Sequence, residues 1–283
     1  MSEDDPDRKR DSGNGTDPSR DGRSATDDGH RFETTIGEGV LRVRRPGTRW
    51  LSSGSGGGFR VASAAYNVSV STGFSRTDLD SYVAERRREA GFLEPGPTLL
   101  TGLALDHARG ARSGSVSVVA TAGLSNPATL PMDPDTVAAA ADADADDATS
   151  GTTDSTTSTG VAGADDPPPG TVNVLVVTDH ALDDGGLTTL LATVVEAKTA
   201  TLLAATGFSG TTSDAVVVGC DPDGERARFA GSATPVGAAA RACVRDAVLA
   251  SLRSRYPDGG VPETVDAAEY GVRTARSTDA FRL

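Results

Sequence analysis

The sequence predicts an α/β fold, in which a single layered domain has a mixed central sheet flanked by helices. In the second half of the chain, strand-like segments alternate with helix-like segments, and this alternation is typical of α/β domains. The short runs 174–177 and 216–218 consist only of Val and Leu. Such continuous apolar runs are typical of strands in the middle of a sheet, because these are covered on both faces. We therefore expect one hydrophobic core.

The first half of the predicted domain is rich in strands. Ordered structure is expected from about residue 36, where two short extended segments lie on either side of Pro46-Gly47, a pair that interrupts regular structure. A glycine-rich loop at residues 53–58 separates these segments from a further strand at residues 60–70. This part of the chain therefore contributes neighbouring strands to the sheet.

Helices and strands alternate along the rest of the chain. Asp78 is placed to cap the first helix, and Gly91 is placed to end it. The domain is expected to end near residue 256. The remaining predicted elements are a helical stretch at 99–108, a strand from 116, a tight turn at 121–126, a strand at 172–178, a helix at 185–205, a strand at 215–220 and a helix at 236–252.

The acidic residues are concentrated in two segments of a chain whose formal net charge is −13. Residues 1–31 hold nine acidic and six basic residues, and residues 133–170 hold nine acidic residues and no basic one. Both segments are poor in large apolar residues, so they bury too little surface to offset the entropy cost of ordering. The sequence predicts a disordered tail at 1–35, a domain at 36–256 with a disordered acidic insertion at 132–169, and a C-terminal extension at 257–283.

Composition also argues against several classes of protein. An acidic chain lacks the basic patch that nucleic acid binding requires. No window reaches the roughly 18 consecutive apolar residues of a membrane span, and the N-terminus does not read as a secretory signal. We therefore expect a cytoplasmic protein without a membrane span, whose oligomeric state the sequence leaves open. Cys220 and Cys243 are predicted to be buried thiols, and the acid-rich, lysine-poor composition suits a salt-loving host.

Lys198 is the main candidate for a site residue. On the helix predicted from residue 185, the 100° spacing places Lys198 at the centre of the apolar stripe, while Glu196 points the opposite way. An ammonium group in an apolar layer loses hydration unless a carboxylate or a polar cavity compensates. Because the chain has 25 arginines and two lysines, a lysine here indicates a need for a compact or titratable amine. A structural ion pair or a snorkelling side chain is the alternative.

Two polar turns supply further candidates. The turn at 121–126 follows a strand, and the turn at 210–214 precedes a buried strand. Clustered hydroxyls and a carboxylate at a sheet edge can position a water or bind an anion. A turn that only satisfies its own backbone is the alternative. The candidates in the two turns are Thr121, Ser125, Asn126, Thr212 and Asp214.

Other motifs are weaker. The glycines at 54–58 match neither dinucleotide-binding nor P-loop patterns, and they are better explained as a sharp turn that approaches a bulky ligand or simply lies at the surface. The histidines are scattered, which gives no support to a Ser-His-Asp arrangement. No His, Cys and carboxylate cluster has metal-ligand spacing, so no metal site is predicted. Asp183 or Asp184 is better explained as a helix cap than as a cation ligand.

Taken in order, these segments resemble the adenosylcobinamide amidohydrolase family over residues 40–255. No single segment is specific, but the ordered combination is. One departure is Gly56, where the family often has Asn. The similar segments are Leu51-Ser52-Ser53, Gly57-Gly58, Asn67-Val68, the turn at 121–126, Gly170-Thr171-Val172-Asn173, Glu196-Ala197-Lys198 and residues 210–218.

The resemblance implies hydrolysis of the amide that joins aminopropanol to a corrin-ring propionate. The products are adenosylcobyric acid and 1-amino-2-propanol, and the reaction belongs to cobinamide salvage for cobalamin biosynthesis. The implied partner is a small corrinoid molecule whose cobalt is part of the substrate, and no cofactor is implied. Within the similar segments, the candidate catalytic groups are Lys198, Glu196, Asp214, Thr121, Ser125 and Asn126, and the candidate substrate-binding groups are Ser53, Gly57, Gly58, Asn67, Asn173 and Thr212.

Amide hydrolysis needs an activated nucleophile, donors for the developing oxyanion and a proton for the departing amine. We assign Lys198 as proton donor or electrostatic stabiliser, and Asp214 or Glu196 as the group that activates water. Thr121 or Ser125 as a covalent nucleophile is the rival mechanism. Two other functions stay open: a non-catalytic corrinoid-binding protein, and an acyltransferase of related α/β architecture.

Overall fold

A large mixed sheet organises the chain. The computed structural model describes residues 32–71, 74–132, 170–268, 270–276 and 278–283, and in these ranges the sheet has the strand order β4-β3-β2-β10-β8-β6-β5, with β1 also paired to β2. The strands of this sheet are β1 (Glu33–Gly37), β2 (Val40–Ser52), β3 (Gly58–Ser69), β4 (Thr98–Thr101), β5 (Arg109–Ser113), β6 (Val116–Ala122), β8 (Val172–Thr178) and β10 (Ala215–Cys220).

The centre of the sheet is its most regular part. Strands β8 and β10 run parallel, with Asn173 opposite Ala215 and Thr178 opposite Cys220. Strand β6 is antiparallel to β8, and β2 is antiparallel to β10. All seven residues of β8 are buried, as expected for a strand covered on both faces. The prediction from the apolar runs is confirmed.

The long hairpin of β2 and β3 bends across one face of the sheet. Its pairing shifts between Arg44 and Thr48, where Pro46-Gly47 lies and Gly47 has a φ of 76°. Such bulges bend a strand and increase its twist. As a result, Leu99 of β4 packs in one cluster with Leu175 of β8 and Val217 of β10.

Helices cover both sides of this layered structure. They are α1 (Leu79–Glu89), α2 (Asp184–Thr206) and α3 (Pro235–Arg255). Helices α2 and α3 pack on the face of β6, β8 and β10 that lies away from β4. Helix α1 lies outside β3, where Tyr82 packs with Tyr66. The predicted α/β class, with a mixed sheet flanked by helices, is confirmed.

Local signals explain where the helices begin and end. The Asp183 carboxylate accepts a hydrogen bond from the Gly186 N–H at 2.8 Å and caps α2, and Gly207 ends this helix with a φ of 79°. Thr234 caps α3 in the same way, through the Gly237 N–H at 3.0 Å. The cap predicted at Asp183 is therefore present.

A second, small sheet joins three distant parts of the chain. Its order is β11-β7-β9, formed by β7 (Pro127–Thr129), β9 (Gly210–Thr211) and β11 (Val272–Arg273). Strand β7 pairs antiparallel to β9 and parallel to β11. The segment predicted as a C-terminal extension therefore contributes a strand beside the turns at 121–126 and 210–214.

Several sequence-based predictions need correction. The helical stretch expected at 99–108 is wrong: it consists of β4 and a 3-10 turn at Leu105–His107, because Thr98–Thr101 pairs with β3. The two short extended segments around Pro46-Gly47 form one bulged strand, β2. Regular structure starts at Glu33, within the segment expected to be a disordered tail. The disorder predicted for residues 1–31 and 133–169 lies outside the described residues.

Helix α2 is long and apolar enough, by length and composition, to cross a membrane. Nine of its residues are buried, and several of these, including Leu187, Leu190 and Val194, pack in the core with the central strands. A mostly buried core helix passes the same test. The packing of α2 is that of a core helix.

Candidate active site

The most prominent polar feature is a buried ion pair at the end of the central sheet where β8 and β10 begin. We call this place the edge site. Lys198 lies on the inner face of α2 and is 5% exposed. Its ammonium Nζ donates to the carboxylate Oδ2 of Asp214, which immediately precedes β10. The predicted inward orientation of Lys198 is confirmed, and a carboxylate provides the compensation that a buried ammonium requires.

Asp214 is held by donors on all sides. Besides Lys198, its oxygens accept the backbone N–H of Val172 at 3.0 Å, the backbone N–H of Thr211 at 3.2 Å and the Thr211 hydroxyl. A carboxylate has about four lone-pair positions. Because these four donors occupy them, Asp214 is a fixed anion that positions the Lys198 ammonium.

Gly210 lies where a side chain would disturb this ion pair. A Cβ added at this position would lie 2.5 Å from Asp214 Oδ2 and 3.3 Å from Lys198 Nζ. Both contacts are with the charged groups themselves, so the substitution would displace one of them. The glycine at 210 is thus explained by the close approach of the ion pair to the backbone.

The two polar turns meet beside the ion pair. The Asn126 Nδ2 group donates to the Thr212 hydroxyl at 2.6 Å, and the Thr212 N–H donates to the Asn126 carbonyl at 3.2 Å. The Ser213 hydroxyl lies 2.5 Å from that of Thr171. Thr212 and Ser213 are exposed, whereas Asn126 is 2% exposed. The turns therefore form a polar surface that begins in solvent and ends at buried groups.

Asn126 carries an unused acceptor. Its Oδ1 atom is buried and has no hydrogen-bond partner among the residues that the structure describes. An unpaired buried amide oxygen costs about 1–3 kcal/mol, so such an atom is a candidate for pairing with a ligand group. The predicted grouping of Asn126 with Thr212 and Asp214 is present in the structure.

Asn67, Thr121 and Asn173 form a separate, interior network. Asn67 Nδ2 donates to the Thr121 hydroxyl at 3.0 Å, and Asn173 Nδ2 donates to Asn67 Oδ1 at 2.9 Å and to the Leu100 carbonyl at 2.8 Å. The three side chains are at most 1% exposed. Thr121, proposed as a nucleophile, and Asn67 and Asn173, proposed as substrate ligands, are therefore all buried in the interior of the domain. Their hydrogen bonds instead join β3, β4, β6 and β8.

The glycine-rich loop adjoins the site through Ser53. The Ser53 hydroxyl accepts a hydrogen bond from the Val216 N–H at 2.9 Å, and the backbone N–H of Ser53 donates to the Val216 carbonyl at 2.9 Å. Gly57 lies so close to the preceding turn that an added Cβ would be 2.4 Å from the Ser52 carbonyl oxygen. Gly58 has a φ of 100°. The loop is therefore a tight turn fixed to the start of β10.

Of the two remaining catalytic candidates, Glu196 lies away from the Lys198 ion pair and Ser125 lies in the turn where it was expected. Glu196 lies on the exposed face of α2 and pairs with Arg241 of α3, so the structure does not bring it to the Lys198 ion pair. This position agrees with the helical projection, and the role of Glu196 in activating water stays a prediction. Ser125 is half-buried in the turn next to Asn126, and its backbone packs closely against Gly170.

The remaining candidates lie apart from this site. His107 bonds Ser254 and His180 bonds the Glu225 carbonyl. Cys220 and Cys243 are free and buried as predicted, and burial raises the pKa of both thiols. In the described part of the chain, no three His, Cys, Asp or Glu side chains are grouped so that they could hold a metal ion. The expectation that no cofactor is needed stays a prediction.

Sequence reasoning missed the contributions of Thr171, Thr211 and Ser213. All three lie in segments that the sequence had singled out, next to Asn173, Thr212 and Asp214. The Thr171 and Ser213 hydroxyls bond to each other between the starts of β8 and β10, and the Thr211 hydroxyl donates to Asp214 within its own turn. The parallel pairing of these two strands, which brings residues 171 and 213 together, was the available signal.

Comparison with known proteins gives concordant results. The family model described as adenosylcobinamide amidohydrolase matches residues 24–259. A protein of Halobacterium salinarum described as adenosylcobinamide amidohydrolase is 50% identical over 253 residues, which cover 89% of this chain and 99% of the relative. Its source agrees with the salt-loving host predicted from the composition.

Proposed function

Because the chain belongs to the adenosylcobinamide amidohydrolase family, we propose that it hydrolyses the aminopropanol amide of adenosylcobinamide at the edge site of Lys198 and Asp214. The products are adenosylcobyric acid and 1-amino-2-propanol, so the reaction belongs to cobinamide salvage, and we propose that it takes place in the cytoplasm. The activity is that of a hydrolase acting on a linear amide. The substrate is a small corrinoid, and its cobalt belongs to the substrate.

One observation carries the assignment of the site: the buried ammonium group of Lys198 is paired with a turn in which Thr212 and Ser213 are exposed and which bonds to the buried amide of Asn126. Lys198 is held by Asp214, and the exposed Thr212 and Ser213 belong to the same turn. A fixed positive charge in a poorly solvated position stabilises an oxyanion more strongly than the same charge in water. The ammonium also supplies a proton to the departing amine.

Asn126 and Thr212 are assigned to the amide of the substrate. The unpaired Oδ1 of Asn126 accepts the N–H of the scissile amide, and the exposed Thr212 hydroxyl bonds the aminopropanol hydroxyl. Ser53, Gly57 and Gly58 form the neighbouring wall on which the corrin lies. The loop has the tight turn and the fixed end at Val216 that a rigid wall requires.

Water is the proposed nucleophile. For Asp214 to activate it, the Thr211 hydroxyl must turn away from Oδ1 so that this oxygen accepts a water proton. Ser125 is the alternative nucleophile, since it is half-buried beside Asn126. An acyltransferase reaction would differ only in the acceptor, an amine in place of water, and a non-catalytic corrinoid carrier would bind without releasing aminopropanol.

Incubation of the purified full chain with adenosylcobinamide in ¹⁸O-labelled water tests the proposal. We expect free 1-amino-2-propanol and a corrinoid acid that carries one ¹⁸O atom, both detected by mass spectrometry. Tight corrinoid binding without aminopropanol release would identify a carrier. Transfer to an added amine at the expense of ¹⁸O uptake would identify an acyltransferase, and an acyl adduct on the protein would implicate Ser125.

A further inference from the structure

A cavity of about 160 Å³ is bordered by Ser55 and Gly56 of the glycine-rich loop. Its walls come from the loop, from the first turn of α1 and from residues 95–98. The polar side chains that line it include Arg60 and Asp80. None of the residues assigned to the chemical step lines this cavity.

Arg60 and Asp80 are uncommitted charges. Arg60 is exposed, and its only hydrogen bond to a residue that the structure describes is a long one, 3.4 Å, to the Gly56 carbonyl. Asp80 is exposed and has no hydrogen bond or ion pair among the described residues. By contrast, Arg87 in the same wall is fixed, because it donates to the Glu94 and Val83 carbonyls. The cavity thus offers one free donor group and one free acceptor group that do not neutralise each other.

Two glycines near the cavity are closely packed against neighbouring strands. Gly96 lies between Pro95 and Pro97, and an added Cβ at this glycine would lie 1.9 Å from the Ala64 carbonyl oxygen. Gly54 of the loop packs on β4, where an added Cβ would lie 2.7 Å from Leu99 Cδ2. Closely packed walls leave little room for rearrangement, so the cavity is suited to a small group that matches its shape.

The charges identify the chemistry of that group. A lone arginine would favour a carboxylate or phosphate, and a lone carboxylate would favour a cation. A guanidinium and a carboxylate that remain separate complement a neutral carboxamide, whose C=O accepts from Arg60 and whose NH₂ donates to Asp80. The volume admits a short side arm and excludes a macrocycle.

We infer that this cavity binds one of the carboxamide side arms of the corrin ring while another arm, the scissile amide, occupies the edge site. The inference rests on the proposed function for the identity of the ligand. The loop at 53–58 connects the two places, since Ser53 is bonded to β10 beside Asp214 and Gly56 borders the cavity. A corrinoid lying over the loop is therefore held at two points, and Arg60 and Asp80 determine which corrinoids bind.

The test compares Arg60→Ala and Asp80→Asn with two exposed control variants, Arg112→Ala and Asp106→Asn, at the lowest salt at which the chain stays folded. Kd for adenosylcobinamide is measured by absorbance titration, and KM and kcat by aminopropanol release. We expect Arg60→Ala to raise Kd and KM about five- to twentyfold with kcat within twofold, and both controls to match the wild type. Kd and KM of Arg60→Ala and Asp80→Asn within twofold of the wild type would overturn the inference.

A second arm of the experiment uses corrinoids in which one peripheral carboxamide has been converted to a carboxylate, with the positional isomers assayed separately. At least one isomer should bind the wild type fivefold or more weakly, because Asp80 repels its carboxylate. Asp80→Asn should reduce that discrimination to twofold or less, whereas a merely structural role of Asp80 would leave it unchanged.

The two proposals fail in different ways. If the wild-type protein releases no aminopropanol, the proposed function fails, and the Kd values still report on the cavity. If aminopropanol is released and Kd is unaffected in both cavity variants, the cavity inference alone fails.

Discussion

Two buried ion pairs lie at opposite ends of the parallel strands β8 and β10. Lys198–Asp214 precedes the strands, with side chains 7% and 12% exposed, and Arg45–Asp221 follows them, with side chains 9% and 4% exposed. Beside the first pair are the exposed hydroxyl groups of a polar turn. The Arg45 guanidinium instead lies 5.8 Å from the centre of the Phe32 ring. Burial of a charge pair therefore does not by itself indicate a functional site. The feature that distinguishes the Lys198 pair is the exposed hydroxyl groups beside it.

Asp221 is tied into its own surroundings. Its carboxylate accepts the Asp223 N–H at 2.9 Å, and its N–H donates to the Thr178 carbonyl at 3.1 Å. Arg45 lies at the bulge of β2, so this pair fixes the bend of the hairpin to the end of β10. The pair is expected to support folding, and the Lys198 pair is expected to support chemistry. Four substitutions test this division.

Replacing Lys198 with Met should give the largest effect. The side chain keeps most of its volume but loses the ammonium group, so we expect kcat for aminopropanol release to fall by about 10²- to 10⁴-fold. Lys198→Arg, which keeps the charge with a different shape, should remain at least about tenfold below the wild type. Circular dichroism checks that both variants fold. Activity of Lys198→Met within threefold of the wild type would contradict the assigned site.

Replacing Arg45 with Met should affect stability instead. Removal of one partner leaves the Asp221 charge buried, which typically costs about 3–5 kcal/mol in the free energy of unfolding. The double variant Arg45→Met with Asp221→Leu should recover most of this loss, because neither charge then remains. Urea unfolding measures both. A large loss of kcat in the folded protein, with an unchanged free energy of unfolding, would contradict a purely structural role for the Arg45–Asp221 pair.

Asn126→Ala should have an intermediate effect on catalysis. It removes the Oδ1 acceptor and the donor to Thr212, and we expect kcat/KM to fall about tenfold, which corresponds to about 1.4 kcal/mol. Asn67→Ala is the matched variant in the interior network, and it should lower the free energy of unfolding more than it lowers kcat. The two amides are distinguished by measuring kinetics and urea unfolding for both.

Glu196→Gln should have the smallest effect. Glu196 pairs with Arg241 on the exposed face of α2, with side chains 62% and 36% exposed, and exposed pairs of this kind contribute little. We expect kcat/KM to change less than about twofold and the free energy of unfolding less than about 0.5 kcal/mol. A loss of activity comparable to that of Lys198→Met would return Glu196 to the site.

Local sequence patterns correctly predicted those elements whose structure depends on residues close together in the chain. The bounds of β8 and β10 follow from continuous apolar runs, and the inward direction of Lys198 follows from the period of α2. The stretch at 99–108 was predicted wrongly because only its pairing with β3 makes it a strand, and that partner lies about 30 residues away. Tertiary pairing outweighed the local pattern there.

The residues of the candidate site were easier to predict than the hydrogen bonds that they make with one another. Asp214 was a candidate, but its bond to Lys198 depends on how α2 packs over the start of β10. The interior position of Thr121 depends on Asn67, which lies 54 residues earlier. Arg45–Asp221 joins residues 176 apart and left no signal in the sequence, since neither residue belongs to a periodic apolar pattern.

Strand β10 occupies the middle of the sheet although it comes late in the chain. The sheet's two halves, β4-β3-β2 and β8-β6-β5, are joined through it. During synthesis on the ribosome, β2 and β8 therefore each lack their β10 partner until residues 215–220 have emerged. Asp214 precedes that strand, so the proposed site of Lys198 and Asp214 forms in the same step that completes the sheet.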